Sequence, residues 1–132
     1  METSSRGYWR LQLQILVVGI GALGGTIAAR AIRTGVPVRL AARNTESAEA
    51  LRRSGLRVSG IGGEVRADAI DVAAVEAYGK GDQFDLILLA TKPQDALEVA
   101  PHVVGLLAPE GVILPIQNGG VAQVLADRLG EK

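Results

Sequence analysis

The residues best suited to chemistry form a glycine-rich hexapeptide, G-x-G-x-x-G, near the start of the chain. Its members are Gly19, Ile20, Gly21, Ala22, Leu23 and Gly24, and Gly25 follows as an additional glycine. In this spacing the first glycine permits a tight turn, the second lets the backbone approach a phosphate, and the third lets the following helix pack on the strand. The free N–H groups of that helix favour an anion. The hexapeptide predicts a pyrophosphate-binding turn, and a glycine turn without a ligand is the alternative.

The end of the second predicted strand indicates which dinucleotide would bind. Sites for NAD usually have an acidic residue there, about 20 residues after the glycines, that binds the ribose 2′-hydroxyl. Positions 40–43 instead read LAAR. The guanidinium of Arg43 could bind a 2′-phosphate through two hydrogen bonds and stack on adenine. Arg43 therefore favours NADP, with Asn44 and Thr45 as further hydrogen-bonding groups, and a solvated arginine near a helix start is the alternative.

Two further polar residues follow predicted strands. Lys92 lies in the segment 91–94, which reads TKPQ, and Asn118 lies in the segment 117–120, which reads QNGG. An ammonium group could hold cofactor hydroxyls or an acidic substrate. The alternatives without a function are a surface lysine at Lys92 and an Asn-Gly turn at Asn118. Both segments are expected at the same sheet edge as the glycines, which favours a shared site.

Strands and helices must alternate to bring these residues to one edge. Strands are predicted at 13–20, 36–42, 56–59, 65–70, 85–90 and 112–116, and helices at 23–34, 44–53, 71–78, 93–107 and 121–129. We expect 56–70 to form a hairpin, Pro101 to break its helix and 109–111 to form a turn. The alternation predicts an α/β fold: a Rossmann-type, doubly wound, mostly parallel sheet with helices on both faces, spanning residues 11–132 after a flexible tail at 1–10.

Composition excludes several other classes of function. The 132 residues include 17 glycines, no cysteine and one histidine, and 14 basic residues balance 14 acidic ones. Zero net charge removes the electrostatic reason to expect nucleic acid or a membrane surface as partner. Without cysteine there is no thiol nucleophile or thiolate metal site, and we expect no metal. We interpret His102 as a solvated or capping residue. No signal peptide is visible, so the expected location is the cytoplasm.

Together these motifs resemble the amino-terminal domain of the ketopantoate reductases (2-dehydropantoate 2-reductases). The shared features are the hexapeptide at 19–24, the strand-end Arg43, the segment Ala90-Thr91-Lys92 and the segment Gln117-Asn118-Gly119. Their order and spacing agree from about residue 13 to residue 129. The resemblance implies that the glycine turn holds the pyrophosphate of NADPH, that Arg43 recognises the 2′-phosphate and that Lys92 binds cofactor. It also implies that Asn118 contacts both cofactor and substrate.

The resemblance also implies what this chain does not contain. Enzymes of the family are about twice as long, and a helical second domain carries the catalytic lysine. We therefore expect no catalytic residue here, a sequence truncated before that domain, and no activity on its own. The sheet would then lack its sixth strand, which would leave an edge open to pairing between two copies as a homodimer.

Two other functions remain compatible with the residues. The same domain could serve a reductase of a different 2-oxo acid or of an imine. Alternatively, it could sense a nucleotide for regulation without any chemistry, although that function does not call for both Lys92 and Asn118.

Overall fold

The computed structural model describes residues 13–60, 63–68, 70–79 and 81–116. Its strands are β1 (Ile15–Val18), β2 (Arg39–Ala42), β3 (Leu56–Gly60), β4 (Gly63–Ala67), β5 (Asp71–Ala74), β6 (Phe84–Leu89) and β7 (Leu107–Pro115). The α-helices are α1 (Ala22–Arg33), α2 (Thr45–Ser54) and α3 (Pro93–Val104), and a short 3₁₀ helix spans Val75–Ala77. The predicted tail at 1–10 and the predicted helix at 121–129 lie outside the described residues. No described helix combines the length and the apolar character needed to cross a membrane.

Five strands form one parallel sheet in the order β5-β2-β1-β6-β7. From β1 the chain adds β2 and β5 on one side and then β6 and β7 on the other. The order therefore switches direction between β1 and β6, which is where ligands bind in sheets of this kind. Val18 at the end of β1 is paired with Ala41 on one side and with Leu89 on the other. The carboxyl ends of the three central strands consequently meet at one edge.

Helices cover both faces of this sheet, as the Rossmann-type prediction requires. On one face α3 packs on the sheet through Ala96, Ala100 and Val103, which lie in a buried cluster with Leu16, Ile87 and Leu89. On the other face α1 and α2 contribute Ala28, Ala29 and Ala48 to a cluster with Val17, Leu40 and Ala42. Because both faces are buried, β1 is wholly apolar and β6 is apolar apart from Asp85. The predicted doubly wound fold is confirmed.

The prediction of a helix at 71–78 was wrong. Residues 71–74 form β5, which pairs with β2 from Arg39↔Asp71 to Ala42↔Ala74, and the 3₁₀ helix follows. Burial alternates along β5, with Val72 and Ala74 buried and Asp71 exposed. Pairing with β2 and burial of alternate residues decide the conformation, because the helix propensity of two alanines is a weak local preference.

The prediction that Pro101 breaks its helix was also wrong, since α3 continues to Val104 with Pro101 inside it. An internal proline removes the hydrogen bond to the carbonyl four residues earlier, here that of Leu97. The ring of Pro101 lies on the exposed side, whereas Ala100 and Val103 are buried against the sheet. Packing of the buried side therefore holds the helix together across the missing hydrogen bond.

The hairpin predicted at 56–70 is present, whereas the turn predicted at 109–111 is not. β3 and β4 pair in antiparallel fashion, from Leu56↔Ala67 to Gly60↔Gly63, so the predicted hairpin is confirmed. Residues 109–111 do not separate two elements as expected but lie within β7. The register places residues 108–111 opposite the single residue Asp85, so the predicted turn is an irregularity inside one strand.

Candidate functional site

A cavity of about 780 Å³ opens at the carboxyl edge of the sheet, beside the switch point. The residues that follow four strands line it: Gly19–Gly21 after β1, Arg43 after β2, Val75 and Glu76 after β5, and Ala90–Lys92 after β6. Asp95, Glu98, Val99 and His102 of α3 and Ser47 and Leu51 of α2 add further walls. The structure therefore brings the glycine turn, Arg43 and Lys92 together, as the sequence predicts.

Gly19 is required by the backbone and by close packing. Its φ of +95° lies in the left-handed region, where residues with a side chain are strained. A Cβ added there would lie 2.7 Å from both the backbone nitrogen and Cγ2 of Thr91. The N–H of Gly19 also donates a 3.2 Å hydrogen bond to the carbonyl of Ala41. Gly19 thus joins the ends of β1, β2 and β6.

Gly24 and Gly21 differ in what surrounds them. A Cβ on Gly24 would lie 2.2 Å from the carbonyl oxygen of Gly19 and 3.0 Å from Cβ of Ala90, so this glycine lets α1 approach the strands. A Cβ on Gly21 would meet nothing within 4 Å, and its φ of −91° is open to any residue. No packing by the described residues therefore requires a glycine at position 21, whereas a ligand phosphate close to the backbone would.

The N-terminus of α1 is suited to an anion. Gly21 is the N-cap residue and supplies no side-chain cap, so the first N–H groups are not covered by a capping side chain. No acidic residue lies in the first turn, and Arg30 and Arg33 lie in the last. The positive end of the helix dipole thus faces the glycine turn without a carboxylate to neutralise it.

Arg43 lies immediately before the cap of α2. Asn44 is that cap, and its Oδ1 accepts a 2.8 Å hydrogen bond from the N–H of Ser47. The amide of Asn44 is therefore occupied in holding the helix, which leaves the exposed Arg43 as the charged group at the end of β2. Among the described residues Arg43 forms no ion pair. Its guanidinium can accordingly take an external anion.

Thr91 and Lys92 occupy the opposite side of the glycine turn, at the end of β6. Lys92 is the exposed N-cap residue of α3, and Pro93 at the first helical position gives that helix an ordinary start. Oγ1 of Thr91 is buried and has no hydrogen-bond partner among the described residues. Buried hydroxyls are usually satisfied, so this one is suited to a ligand group in the cavity. Because β2 and β6 flank β1, Arg43 and Lys92 place positive charge on both sides of the anion-binding turn.

The α3 wall was not predicted from the sequence. Lys92, Asp95, Val99 and His102 recur at intervals of three and four residues, which places them on one stripe of the helix. That spacing is visible in the sequence, but only the fold shows that the stripe faces the cavity. Nε2 of His102 lies 2.9 Å from the carbonyl oxygen of Tyr78 and 3.2 Å from that of Val75. His102 is exposed, but it also bonds to the turn after β5 that contains Val75 and Tyr78. The interpretation as a solvated or capping residue was therefore incomplete.

Tyr78 fixes the same turn from its buried side. It is 2% exposed, and its hydroxyl donates a 2.8 Å hydrogen bond to the carbonyl of Leu40 in β2. Burial raises the pKa of Tyr78 to about 12, an effect that the nearby Arg39 guanidinium partly opposes. The guanidinium carbon of Arg39 lies 4.9 Å from the centre of the Tyr78 ring. These contacts hold Val75 and Glu76 at the cavity.

The remaining predicted site residues are only partly described. Ile20 lines the cavity and is half-buried. Ala22 and Leu23 lie in the first turn of α1, where only their backbone is described. Asn118 lies outside the described residues.

The described residues fit a phosphorylated dinucleotide. The glycine turn offers backbone N–H groups, Gly21 leaves space beside them, and Arg43 and Lys92 supply the charge. The cavity continues past Arg43 to Val75 and Val99, which offer an apolar surface to a base.

Comparisons with known proteins identify similar sequences and structures. A family model described as ketopantoate reductase PanE/ApbA matches residues 15–132. The oxidoreductase YkpB of Bacillus subtilis, itself uncharacterised, is 32% identical over 107 residues, which are 81% of this chain and 34% of YkpB. The crystal structure of 2-dehydropantoate 2-reductase from Geobacter metallireducens is 28% identical with a TM-score of 0.72, over 88% of this chain and 38% of that one.

A third relative shares the fold alone. The ternary structure of D-mandelate dehydrogenase with NADH and anilino(oxo)acetate has a TM-score of 0.76 at 24% identity, over 88% of this chain and 37% of that one. In all three comparisons the chain spans little more than a third of the relative's length.

Proposed function

Because the chain belongs to the ketopantoate reductase PanE/ApbA family of oxidoreductases, we propose that it is the NADPH-binding part of a 2-dehydropantoate 2-reductase. The reaction would reduce ketopantoate to pantoate, a step of pantothenate synthesis. The observation that carries the proposal is the convergence of the glycine turn, Arg43 and Lys92 on one cavity at the switch point.

The order of the strands suggests how each residue would hold the cofactor. The glycine turn after β1 and the start of α1 bind the pyrophosphate. Arg43 after β2 binds the 2′-phosphate on one side, which sends the adenosine towards β5. Thr91 and Lys92 after β6 then lie on the nicotinamide side. The absence of an acidic residue at the end of β2 supports NADPH over NADH, since a carboxylate there would repel the 2′-phosphate.

Bound NADPH supplies a hydride to the carbonyl carbon of the substrate. Lys92 would place a positive charge beside the cofactor and the 2-oxo acid, and Asn118 is assigned to contacts with both by resemblance to the family.

A cytoplasmic location and a homodimer remain predictions. For the homodimer, the supporting feature is that β7 is the outermost described strand and exposes Val112 and Leu114.

The test is a substitution that adds a methyl group where the pyrophosphate would contact the glycine turn and that leaves the fold unchanged. Gly21→Ala adds a Cβ that meets no atom of the described residues within 4 Å, so the melting temperature should not change. The affinity for NADPH, measured by fluorescence titration, should fall by about tenfold or more because the Cβ displaces a phosphate from backbone N–H groups.

Gly79→Ala is the matched control. A Cβ on Gly79 also meets nothing within 4 Å, but Gly79 does not line the cavity. Its NADPH affinity should equal that of the unsubstituted chain. If Gly21→Ala binds NADPH as tightly as Gly79→Ala, the glycine turn is not the pyrophosphate site.

A further inference from the structure

His102 is held at the cavity by hydrogen bonds that decide which of its nitrogens carries the hydrogen of the neutral imidazole. Both groups that contact its Nε2, the carbonyls of Val75 and Tyr78, are acceptors. Nε2 must therefore carry the proton and donate it to them. In the neutral imidazole the other nitrogen, Nδ1, is then an acceptor without a hydrogen. Neither hydrogen bond of His102 with the described residues uses Nδ1.

His102 lies at the adenosine end of the cavity. It bonds to the turn after β5, and β5 is separated from β1 by β2, a distance of about 10 Å from the glycine turn at the usual strand spacing. Along α3 it lies ten residues after Lys92, or about 15 Å at the helical rise. His102 is thus remote from the end assigned to nicotinamide.

This end of the cavity combines apolar walls with acceptor groups. Val75 and Val99 offer apolar contact to the faces of a planar base. Glu76, Glu98 and His102 also line the cavity, and carboxylates and an unprotonated Nδ1 are hydrogen-bond acceptors. An acceptor at Nδ1 of His102 requires a base that turns a hydrogen-bond donor towards it.

We propose that Nδ1 of His102 accepts a hydrogen bond from the exocyclic amine of adenine, and so selects adenine dinucleotides over hypoxanthine dinucleotides. This inference rests on the proposed function. Hypoxanthine has a carbonyl where adenine has the amine and carries its edge hydrogen on N1 instead, so in the same orientation it would turn an acceptor towards Nδ1 and this hydrogen bond would be lost.

The experiment compares reduced nicotinamide hypoxanthine dinucleotide phosphate with NADPH in fluorescence titrations of the intact chain. The two dinucleotides share the pyrophosphate, the 2′-phosphate and the nicotinamide, so only the base differs. The unsubstituted chain should bind NADPH at least about tenfold more tightly. Equal affinities would overturn the proposal without affecting the proposed function.

Two variants distinguish the proposed acceptor at Nδ1 from the hydrogen bonds that Nε2 donates to Val75 and Tyr78. The side-chain nitrogen of His102→Gln can reach the position of Nε2 and donate to the two carbonyls, but no acceptor remains at Nδ1. The oxygen of His102→Asn reaches the position of Nδ1 and keeps the acceptor, but the donor is lost. The preference for NADPH should disappear in the first variant and persist in the second.

The opposite pattern would overturn the proposal. A preference for NADPH that persists in His102→Gln and disappears in His102→Asn would depend on the hydrogen bonds from Nε2 to Val75 and Tyr78 rather than on an acceptor at Nδ1. If the unsubstituted chain binds neither dinucleotide, the proposed function fails as well.

Discussion

At the scale of residues, the three glycines of the hexapeptide have different reasons to be glycine. Gly19 needs a positive φ, and Gly24 needs the absence of a Cβ beside the carbonyl of Gly19. Only Gly21 has open space around it, so only Gly21 reports on a ligand rather than on the fold. The spacing of the motif alone does not make this distinction.

Arg43 is the residue to which we assign the proposed preference for a 2′-phosphate. Arg43→Ala should reduce the affinity for NADPH by about 1–3 kcal/mol, because a charge-assisted pair of hydrogen bonds is lost. The affinity for NADH, which lacks the 2′-phosphate, should stay nearly the same. Isothermal titration with both cofactors measures the difference.

Arg53→Ala is the control, since this arginine is exposed on α2 and does not line the cavity. It should leave both affinities unchanged. An equal loss of NADPH and NADH binding in Arg43→Ala would show that Arg43 does not contact the 2′-phosphate.

The sequence was informative where the signal is local. The glycine motif, Arg43 and Lys92 each follow a strand directly, so spacing along the chain was enough to place them. His102 could not be placed in this way, because its two carbonyl partners are 27 and 24 residues earlier in the chain. Only the packing of α3 beside the turn after β5 brings these groups together.

At the scale of elements, β5 and the turn after it show where local propensity fails. Residues 71–78 contain alanines that favour a helix, yet pairing with β2 makes the first half a strand. In α3 the reverse occurs, since burial of one side maintains a helix through Pro101. In both elements burial of particular side chains outweighs a preference of the local backbone.

Because the hydroxyl of Tyr78 is buried and bonds to Leu40 in β2, the free energy of unfolding should depend on pH. The pKa of Tyr78 is raised by burial from 10.0 to about 12, so the fold favours the neutral phenol. The unfolded chain ionises first as pH rises, and stability should fall between about pH 10 and pH 12 by up to about 2 kcal/mol.

Urea unfolding at several pH values, with Tyr78→Phe as the comparison, measures this effect. The variant should lose about 1 kcal/mol at neutral pH with its hydrogen bond to Leu40, and its stability should depend less on pH above 10. An identical pH dependence in both proteins would mean that Tyr78 ionises as readily in the fold as in the unfolded chain.

At the scale of the whole molecule, the described cavity accounts for cofactor binding better than for catalysis. Reduction of a 2-oxo acid needs a hydride, a proton for the new hydroxyl and a cation for the carboxylate. Arg43 and Lys92 are the only arginine and lysine among the described residues that line the cavity. With Arg43 assigned to the 2′-phosphate, Lys92 alone would have to perform the last two tasks.

We therefore expect the 132-residue chain to bind NADPH without oxidising it in the presence of ketopantoate. The absorbance of the reduced nicotinamide measures the rate of NADPH oxidation, and this rate should equal that of the same mixture without protein. Oxidation of NADPH that depends on both ketopantoate and the chain would show that the proton donor lies within these residues.

We propose that this cavity binds a dinucleotide and prefers the form with a 2′-phosphate. This proposal is tested most directly by titrating the unsubstituted chain with NADPH and with NADH under the same conditions. We expect saturable binding of one NADPH per chain, at least about tenfold tighter than that of NADH. Equal affinities, tighter binding of NADH or no binding of either cofactor would contradict it.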